Sequence, residues 1–448
     1  MARKLFGTDG IRGIAGEYPL DAKTAHAVGA ALGRSISQAH ASPRVVIGMD
    51  TRESGPWLAE EVAGGLAAQN VAIDFAGVTT TPGVAYLAKT GPYAGGVMIS
   101  ASHNPYQDNG IKLIGHNGYK LPDDQEESLE ADILAPASRD GQRAAITVDP
   151  GLDRTYIEHL AGTLPQGLGS LNIVADCANG SASALAPELF RRLGARVHAI
   201  HCSPNGRNIN LNCGSLHLES LAAVVREQSA DVGVAFDGDA DRALFVASSG
   251  KIVDGDAVLL LAARQLKNEG RLAGGDGRPL VVATVMSNLG LERALASHGI
   301  AMIRTPVGDK YVLEEMIRRG AVLGGEQSGH IIFRDYATTG DGMLTALRVF
   351  EAMLASGQSL DALTSELQVY PQRLVNVRVR ERKPLDELPN VAAEIRAAES
   401  SFGESGRVLV RFSGTEPLAR VMVEGPDLQR VEDFANRIAA RIQADLGE

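Results

Sequence analysis

The chain has 448 residues, with 43 Lys and Arg against 54 Asp and Glu, a formal charge of −11. That balance argues against a sequence-wide nucleic-acid or anionic-membrane footprint. A 44% hydrophobic and 22% charged composition excludes a disordered chain, and 50 glycines without a three-residue period exclude a collagen-like one; the length allows two to four domains.

Met1-Ala2-Arg3-Lys4 is not followed by an apolar stretch, so no signal peptide is expected. The longest apolar run, 257–263, falls far short of the ~20 residues that span a bilayer, and a cytoplasmic chain without a membrane partner is expected. Cys177, Cys202 and Cys213 lack the spacing of a disulfide framework or a zinc site and read as buried small hydrophobes.

In chain order, the pattern predicts strand, helix and strand at 44–49, 57–69 and 71–75. The same rhythm returns at 172–175, 184–193 and 195–200, and again at 280–285, 288–297 and 300–303. It indicates an α/β architecture with mixed or mostly parallel sheets flanked by helices. The texture changes near Tyr370-Pro371. Val375, Val377 and Val379 alternate with Asn376, Arg378 and Arg380 as in a half-exposed strand. A helix at 385–398, strands at 408–411 and 420–423 and a terminal helix complete a β-α-β-β-α unit of about 75 residues. The basic residues Arg378, Arg380, Arg382 and Lys383 then read as a solvated strand face rather than an anion patch.

Four loops carry chemistry. The strand 96–100 runs into Ala101-Ser102-His103-Asn104-Pro105, which presents the Ser102 hydroxyl in an exposed turn. Lys112, a little further on, supplies a cation or general acid, or is simply a solvated strand residue. Asp237-Gly-Asp239-Ala-Asp241-Arg242 follows the apolar run 232–236, at the strand end where α/β sheets present ligands. Carboxylates at i, i+2 and i+4 repel unless screened, and can converge on one hard divalent ion such as magnesium; the alternative is an exposed acidic turn. With Arg242 and Ser248 at loop positions 6 and 12, the segment is not an EF-hand. A serine beside such a loop suggests phosphoryl chemistry.

In Gly324-Gly325-Glu326-Gln327-Ser328-Gly329-His330, an extended backbone would point Glu326 and Ser328 to one face, suited to two neighbouring sugar hydroxyls; a plain glycine turn also explains it. Arg411-Phe412-Ser413-Gly414-Thr415-Glu416-Pro417 joins two strands. Its hydroxyls, its backbone N–H groups and the forks of Arg411 and Arg420 suit an oxyanion, where a hairpin turn alone leaves the arginines unexplained.

Together with Phe6-Gly-Thr-Asp-Gly-Ile-Arg-Gly13, these loops resemble the α-D-phosphohexomutase superfamily in order and spacing, from residue 6 to about 424. The variant forms of the first, serine and Gly325–His330 loops are similar to its bacterial branch that acts on glucosamine phosphates. The resemblance implies an α/β four-domain architecture around a central cleft: three related α/β domains (1–155, 156–254, 255–369) and a smaller C-terminal α+β domain (370–448). It implies interconversion of glucosamine 6-phosphate and glucosamine 1-phosphate, on the route to UDP-N-acetylglucosamine, and a homodimer. Ser102 would carry an activating phosphoryl group, and Asp237, Asp239 and Asp241 would hold one Mg²⁺ with a phosphoserine oxygen. Glu326 and Ser328 would grip the sugar, while Arg411, Ser413, Gly414 and Thr415, with Arg420, bind the non-reacting phosphate. Arg12, Lys112, Arg242 and His330 would lie near the reacting groups. Phe412 departs from the proline common in relatives. Rival readings are the same fold acting on glucose or mannose phosphates, a metal-dependent sugar phosphatase, and a phosphosugar sensor, which would need neither Ser102 nor the aspartates.

Overall fold

The computed structural model describes residues 5–7, 9–135, 142–384, 387–413 and 417–447. Two compact units emerge: Met1–Met286 with Gly299–Ser365, and Ser287–His298 with Glu366–Glu448.

The first unit contains three sheets. The strand Arg44–Met49 lies between parallel neighbours Ala72–Val78 and Gly95–Ile99. Asp108–Gly115 then runs antiparallel to Gly95–Ile99, and Gly10–Ile14 and Phe6–Gly7 complete six strands. Side chains alternate across this sheet. Val45, Ile47, Val97 and Ile99 pack with Leu58, Val62 and Leu66 of the helix Gly55–Ala67. Val46 and Met98 meet Val84, Leu87 and Ala88 of the helix Thr81–Thr90 on the other face. Burying each such side chain contributes about 1.5–3 kcal/mol, which is why continuous apolar runs here form doubly covered central strands.

The second sheet sets Asn172–Asp176 between parallel Arg196–Ile200 and Val232–Phe236, with Ala243–Ala247 and Ile252–Val253 antiparallel beyond. The third places Leu280–Thr284 between parallel Ala301–Thr305 and Leu323–Gly325, followed by antiparallel Ile331–Phe333. The apolar run 257–263 lies in the buried helix Gly255–Asn268, and no helix among the described residues is long and apolar enough to cross a membrane.

The second unit has three antiparallel strands, Gln372–Arg378, Leu418–Glu424 and Arg407–Phe412, packed on the helices Pro389–Phe402 and Leu428–Leu446. Val377 and Val379 are buried while Asn376, Arg378 and Arg380 are exposed, as the alternation predicts. The first of these helices starts four residues later than expected, with Pro389 in its first turn, where a missing N–H is harmless. The helix Leu289–Ser297 also belongs to this unit, although the rhythm places it in a third α/β block. The Leu289 N–H donates to Glu424 Oε1 at 2.8 Å, and the Asn288 amide bonds Tyr370 at 2.9 Å in both directions. Sequence adjacency to the strands on either side does not capture those long-range ties.

Candidate active site

The buried strand Gly95–Ile99 delivers the serine loop at its C-terminal end. Ser102 adopts φ 53°, the left-handed region, and is 1% exposed. The expected exposed hydroxyl is therefore corrected: Oγ points inward and donates to Asp237 Oδ2 at 2.5 Å, with His103 Nδ1 3.2 Å away. Burial and the charges of Arg242 and Arg12 push the His103 imidazole down to about 4, so it stays neutral.

Strand Val232–Phe236 likewise delivers the acidic loop. Asp237, Asp239 and Asp241 are all buried, and one oxygen from each falls within 4.8 Å of the others. An exposed acidic turn is thereby excluded. Asp239 Oδ1 and Asp241 Oδ1 are buried with no hydrogen-bond donor among the described residues. Two orphaned carboxylate oxygens beside a third carboxylate form an all-oxygen donor set that fits a hard divalent cation. Burial and the like charges of Asp241 and Asp239 push Asp237 well above the usual carboxylate range. Asp241 goes the other way: burial opposes its charge, but His330, Lys112 and Arg242 hold it below that range.

Lys112 is no solvated strand residue. It is buried, with Nζ 2.8 Å from Asp239, 3.0 Å from Asp9 and 3.8 Å from Asp241. Burial alone would discharge it, yet these three carboxylates raise its pKa and keep the ammonium. Arg242 donates its main-chain N–H to Asp237 Oδ1 at 3.1 Å, and its Nε lies 3.8 Å from Asp241 Oδ1. Arg12, on the strand Gly10–Ile14, pairs with Asp9.

The Glu326 loop differs from the extended arrangement expected. Leu323–Gly325 and Ile331–Phe333 pair as a hairpin, so 326–329 must turn, and the Gly329 N–H donates to the Glu326 carbonyl at 3.0 Å. Gly324 and Gly325 lie in the strand itself. Glu326 is buried and its Oε1 accepts from the Gly308 N–H at 3.1 Å, while Ser328 Oγ is buried without a hydrogen bond among the described residues.

His330 Nδ1 stands 3.6 Å from Asp241 Oδ1 and Nε2 stands 3.8 Å from Asp309 Oδ2. The Gly340 N–H donates to Nε2 at 3.0 Å, so the ring's proton sits on Nδ1, toward Asp241. A Cβ at 340 would lie 2.5 Å from the imidazole, so only glycine brings its N–H this close. Burial and the Gly340 N–H at Nε2 disfavour a second proton, against Asp241, Asp309 and Glu326, which draw the imidazole's pKa upward.

In the second unit, Arg411 and Arg420 face each other directly across the antiparallel ladder. Burial and the Arg420 charge both lower the Arg411 pKa. Like charges opposite each other are destabilising, so the pair suits an anion. Ser413 is buried and its N–H donates to the Leu418 carbonyl at 2.8 Å. Gly414 and Thr415 lie outside the described residues.

Several residues of the site lie outside the set expected from the sequence. Asp9 bridges Lys112 and Lys120, Asp309 takes the other side of Lys120, and Thr81 Oγ1 donates to Asp239 Oδ2 at 2.5 Å. Asp176, His201 and Cys213 form a second group of close ligand-type atoms. Its carboxylate already accepts the N–H groups of Ala178 at 2.9 Å and Gly214 at 3.1 Å, with His201 3.0 Å away, and burial pushes the Cys213 thiol up to about 12. It ties loops together.

Comparison with known proteins bears on this geometry. The phosphoglucomutase/phosphomannomutase family matches in four parts: α/β/α domain I at residues 3–140, domain II at 154–250, domain III at 254–370 and the C-terminal domain at 374–441. A phosphoglucosamine mutase of Solibacter usitatus is 61% identical over 450 residues, covering 100% of both chains. A phosphoglucomutase/phosphomannomutase family protein from Burkholderia thailandensis superposes with a TM-score of 0.81 at 25% identity, covering 98% of this chain and 99% of that one. The N-acetylphosphoglucosamine mutase of Aspergillus fumigatus, solved in complex with GlcNAc-6P and magnesium, shares the fold with a TM-score of 0.70 at 20% identity, covering 98% and 96%.

Proposed function

The chain belongs to the phosphoglucosamine mutase family of α-D-phosphohexomutases, and from that premise we propose that it interconverts glucosamine 6-phosphate and glucosamine 1-phosphate through a phosphorylated Ser102. One observation carries the reading: the Ser102 hydroxyl is directed at Asp237, inside a buried trio of carboxylates of which two oxygens find no hydrogen-bond donor among the described residues.

Phosphorylated Ser102 gives its phosphoryl group to the free hydroxyl of the sugar phosphate. The P–O bond to Oγ breaks as a bond to the sugar oxygen forms, the hydroxyl's proton ending on Oγ, and a 1,6-bisphosphate is left. After that intermediate turns over, Oγ takes the other phosphoryl group as its P–O bond to the sugar breaks, and the sugar oxygen gains the proton that Oγ loses. That proton must leave Oγ, and Asp237 Oδ2 at 2.5 Å and the neutral His103 ring at 3.2 Å stand next to it. Asp237, Asp239 and Asp241, with a phosphoserine oxygen, would hold a divalent cation, which we take to be Mg²⁺; when bound, it neutralises charge on the transferring group.

Lys112 and Arg242 supply fixed positive charge beside the same oxygens, and Arg12 and His330 complete the surroundings of the reacting groups. Glu326 and Ser328 are assigned to the sugar hydroxyls, where the buried Ser328 Oγ, without a hydrogen bond among the described residues, offers a donor and an acceptor. Arg411, Ser413, Gly414, Thr415 and Arg420 are assigned to the non-reacting phosphate. The segments 1–155, 156–254, 255–369 and 370–448 are taken as the four domains, and a homodimer as the assembly.

The test is direct. Purified protein with Mg²⁺ and glucosamine 6-phosphate should yield the 1-phosphate by phosphorus NMR, and intact-mass mapping should find one phosphoryl group on Ser102. Release of inorganic phosphate without the isomer would replace this reading with a hydrolase, and a higher kcat/KM on glucose or mannose 6-phosphate would move the substrate.

A further inference from the structure

Ser102 is the residue on which the proposed reaction turns, and its left-handed backbone needs a cause. Arg52 supplies one. Its side chain is fully buried and spends all five of its N–H donors. Nη2 donates to the carbonyls of Ser102 and Asn104, both at 2.9 Å, and Nη1 donates to the carbonyl of Asp108 at 2.9 Å and to that of Pro105. Nε donates to Asp50 Oδ2 at 2.8 Å. Four carbonyls between Ser102 and Asp108 thus converge on a single guanidinium.

The other side of Ser102 is held through the same pair. Asp50 Oδ2 also accepts from Ser100 Oγ at 2.6 Å, and Ser100 Oγ in turn accepts the Ser102 N–H at 2.9 Å. From the second sheet's loops, Asn210 Nδ2 donates to the carbonyls of Ser102 at 2.9 Å and Asn104 at 3.0 Å. Gly238 leaves the room: a Cβ there would lie 2.4 Å from the Ser102 carbonyl oxygen. Both main-chain polar groups of Ser102 are therefore fixed, and with them the direction of the Cα–Cβ bond from which Oγ reaches Asp237.

We propose that Arg52, oriented by Asp50 and relayed through Ser100, is the positioning residue of the phosphoryl-carrying serine. It never touches the sugar; it sets where Oγ points. Lysine cannot replace it, because an ammonium has three donors and no planar fork. The proposal rests on the reading of Ser102 as phosphoryl carrier.

The decisive variants are Arg52→Lys, which keeps the charge opposite Asp50, and Ser100→Ala, which removes only the relay. Misplacing a reacting atom by about 1 Å costs on the order of 100-fold. Arg52→Lys should therefore lose about 30- to 300-fold in kcat and Ser100→Ala about 5- to 30-fold, with KM changed less than about threefold. Single-turnover phosphoryl transfer from a hexose 1,6-bisphosphate to Ser102, followed by intact mass, should slow by the same factors. A kcat within twofold of wild type in both variants, or a loss confined to KM, overturns the proposal. If Arg52→Lys does not fold, Ser100→Ala decides alone by the same criteria. Ser102→Ala run alongside separates the two ideas: if it retains turnover, the phosphoserine reading fails, whatever Arg52 does.

Discussion

Lys112→Met tests how the carboxylate cluster is balanced. The Lys112 ammonium is buried 2.8 Å from Asp239 and 3.0 Å from Asp9. At an effective dielectric of about 20, each contact is worth about 5–6 kcal/mol of Coulomb attraction, much of it cancelled by desolvation. Removing one partner of a buried pair costs about 3–5 kcal/mol, since the abandoned carboxylates stay buried. For a unit of about 350 residues, unfolding entropy near the midpoint is about 0.7 kcal/mol per degree, so Tm should fall by about 4–7 °C in chelator. Methionine fills the volume, so packing contributes little. Saturating Mg²⁺ should then raise the variant's Tm more than the wild type's, because the cation screens carboxylates that the lysine no longer screens. Thermal melts with and without chelator, followed on the first unit's transition, measure both quantities. An unchanged Tm in chelator, or equal Mg²⁺ increments in the two proteins, would refute the reasoning.

Three further outcomes follow from the geometry. Ser102→Ala should lose at least about 1,000-fold in turnover while melting within about 2 °C of wild type; near-normal activity in pure protein would sink the nucleophile assignment. Arg411→Ala should raise KM for the sugar phosphate about 10- to 100-fold, the worth of a charge-assisted hydrogen bond, and an unchanged KM removes Arg411 from the phosphate site. Asp341 caps the helix Gly342–Ser356, accepting from the Leu344 N–H at 2.9 Å and the Tyr156 hydroxyl at 2.8 Å, and burial raises its carboxyl to about 6. A carboxyl whose folded pKa is raised favours the folded state while protonated, so its contribution declines as pH rises from about 4 to about 6. Relative to Asp341→Asn, the wild type should lose up to about 3 kcal/mol across that window; a pH-independent difference between the two melts contradicts it.

The sequence carried the fold where burial is continuous. Arg44–Met49, Asn172–Asp176 and Leu280–Thr284 are apolar runs that only a covered strand can use, and all three stand where the pattern places them. The acidic loop was legible for a related reason: three carboxylates two residues apart at a strand end cannot sit together unscreened. Contacts that fold over long loops left no such mark. Asp9 and Asp309 reach Lys120 across 111 and 189 residues, and nothing near either aspartate in the chain announces it. Local sequence places Ser102 in an exposed turn because the group that covers its hydroxyl, Asp237, comes from another sheet. The spacing of Glu326 and Ser328 suggests an extended segment because the short hairpin that bends them is set by pairing between Leu323 and Phe333, a tertiary choice invisible to local spacing.

The contact between Gly340 and His330 has a use beyond this chain. Because no side chain fits at 340 while its N–H holds Nε2, a glycine there is a written record of the imidazole's orientation. A related sequence with any other residue at that position has turned or lost the ring that faces Asp241, and it can be sorted from the others by reading one letter.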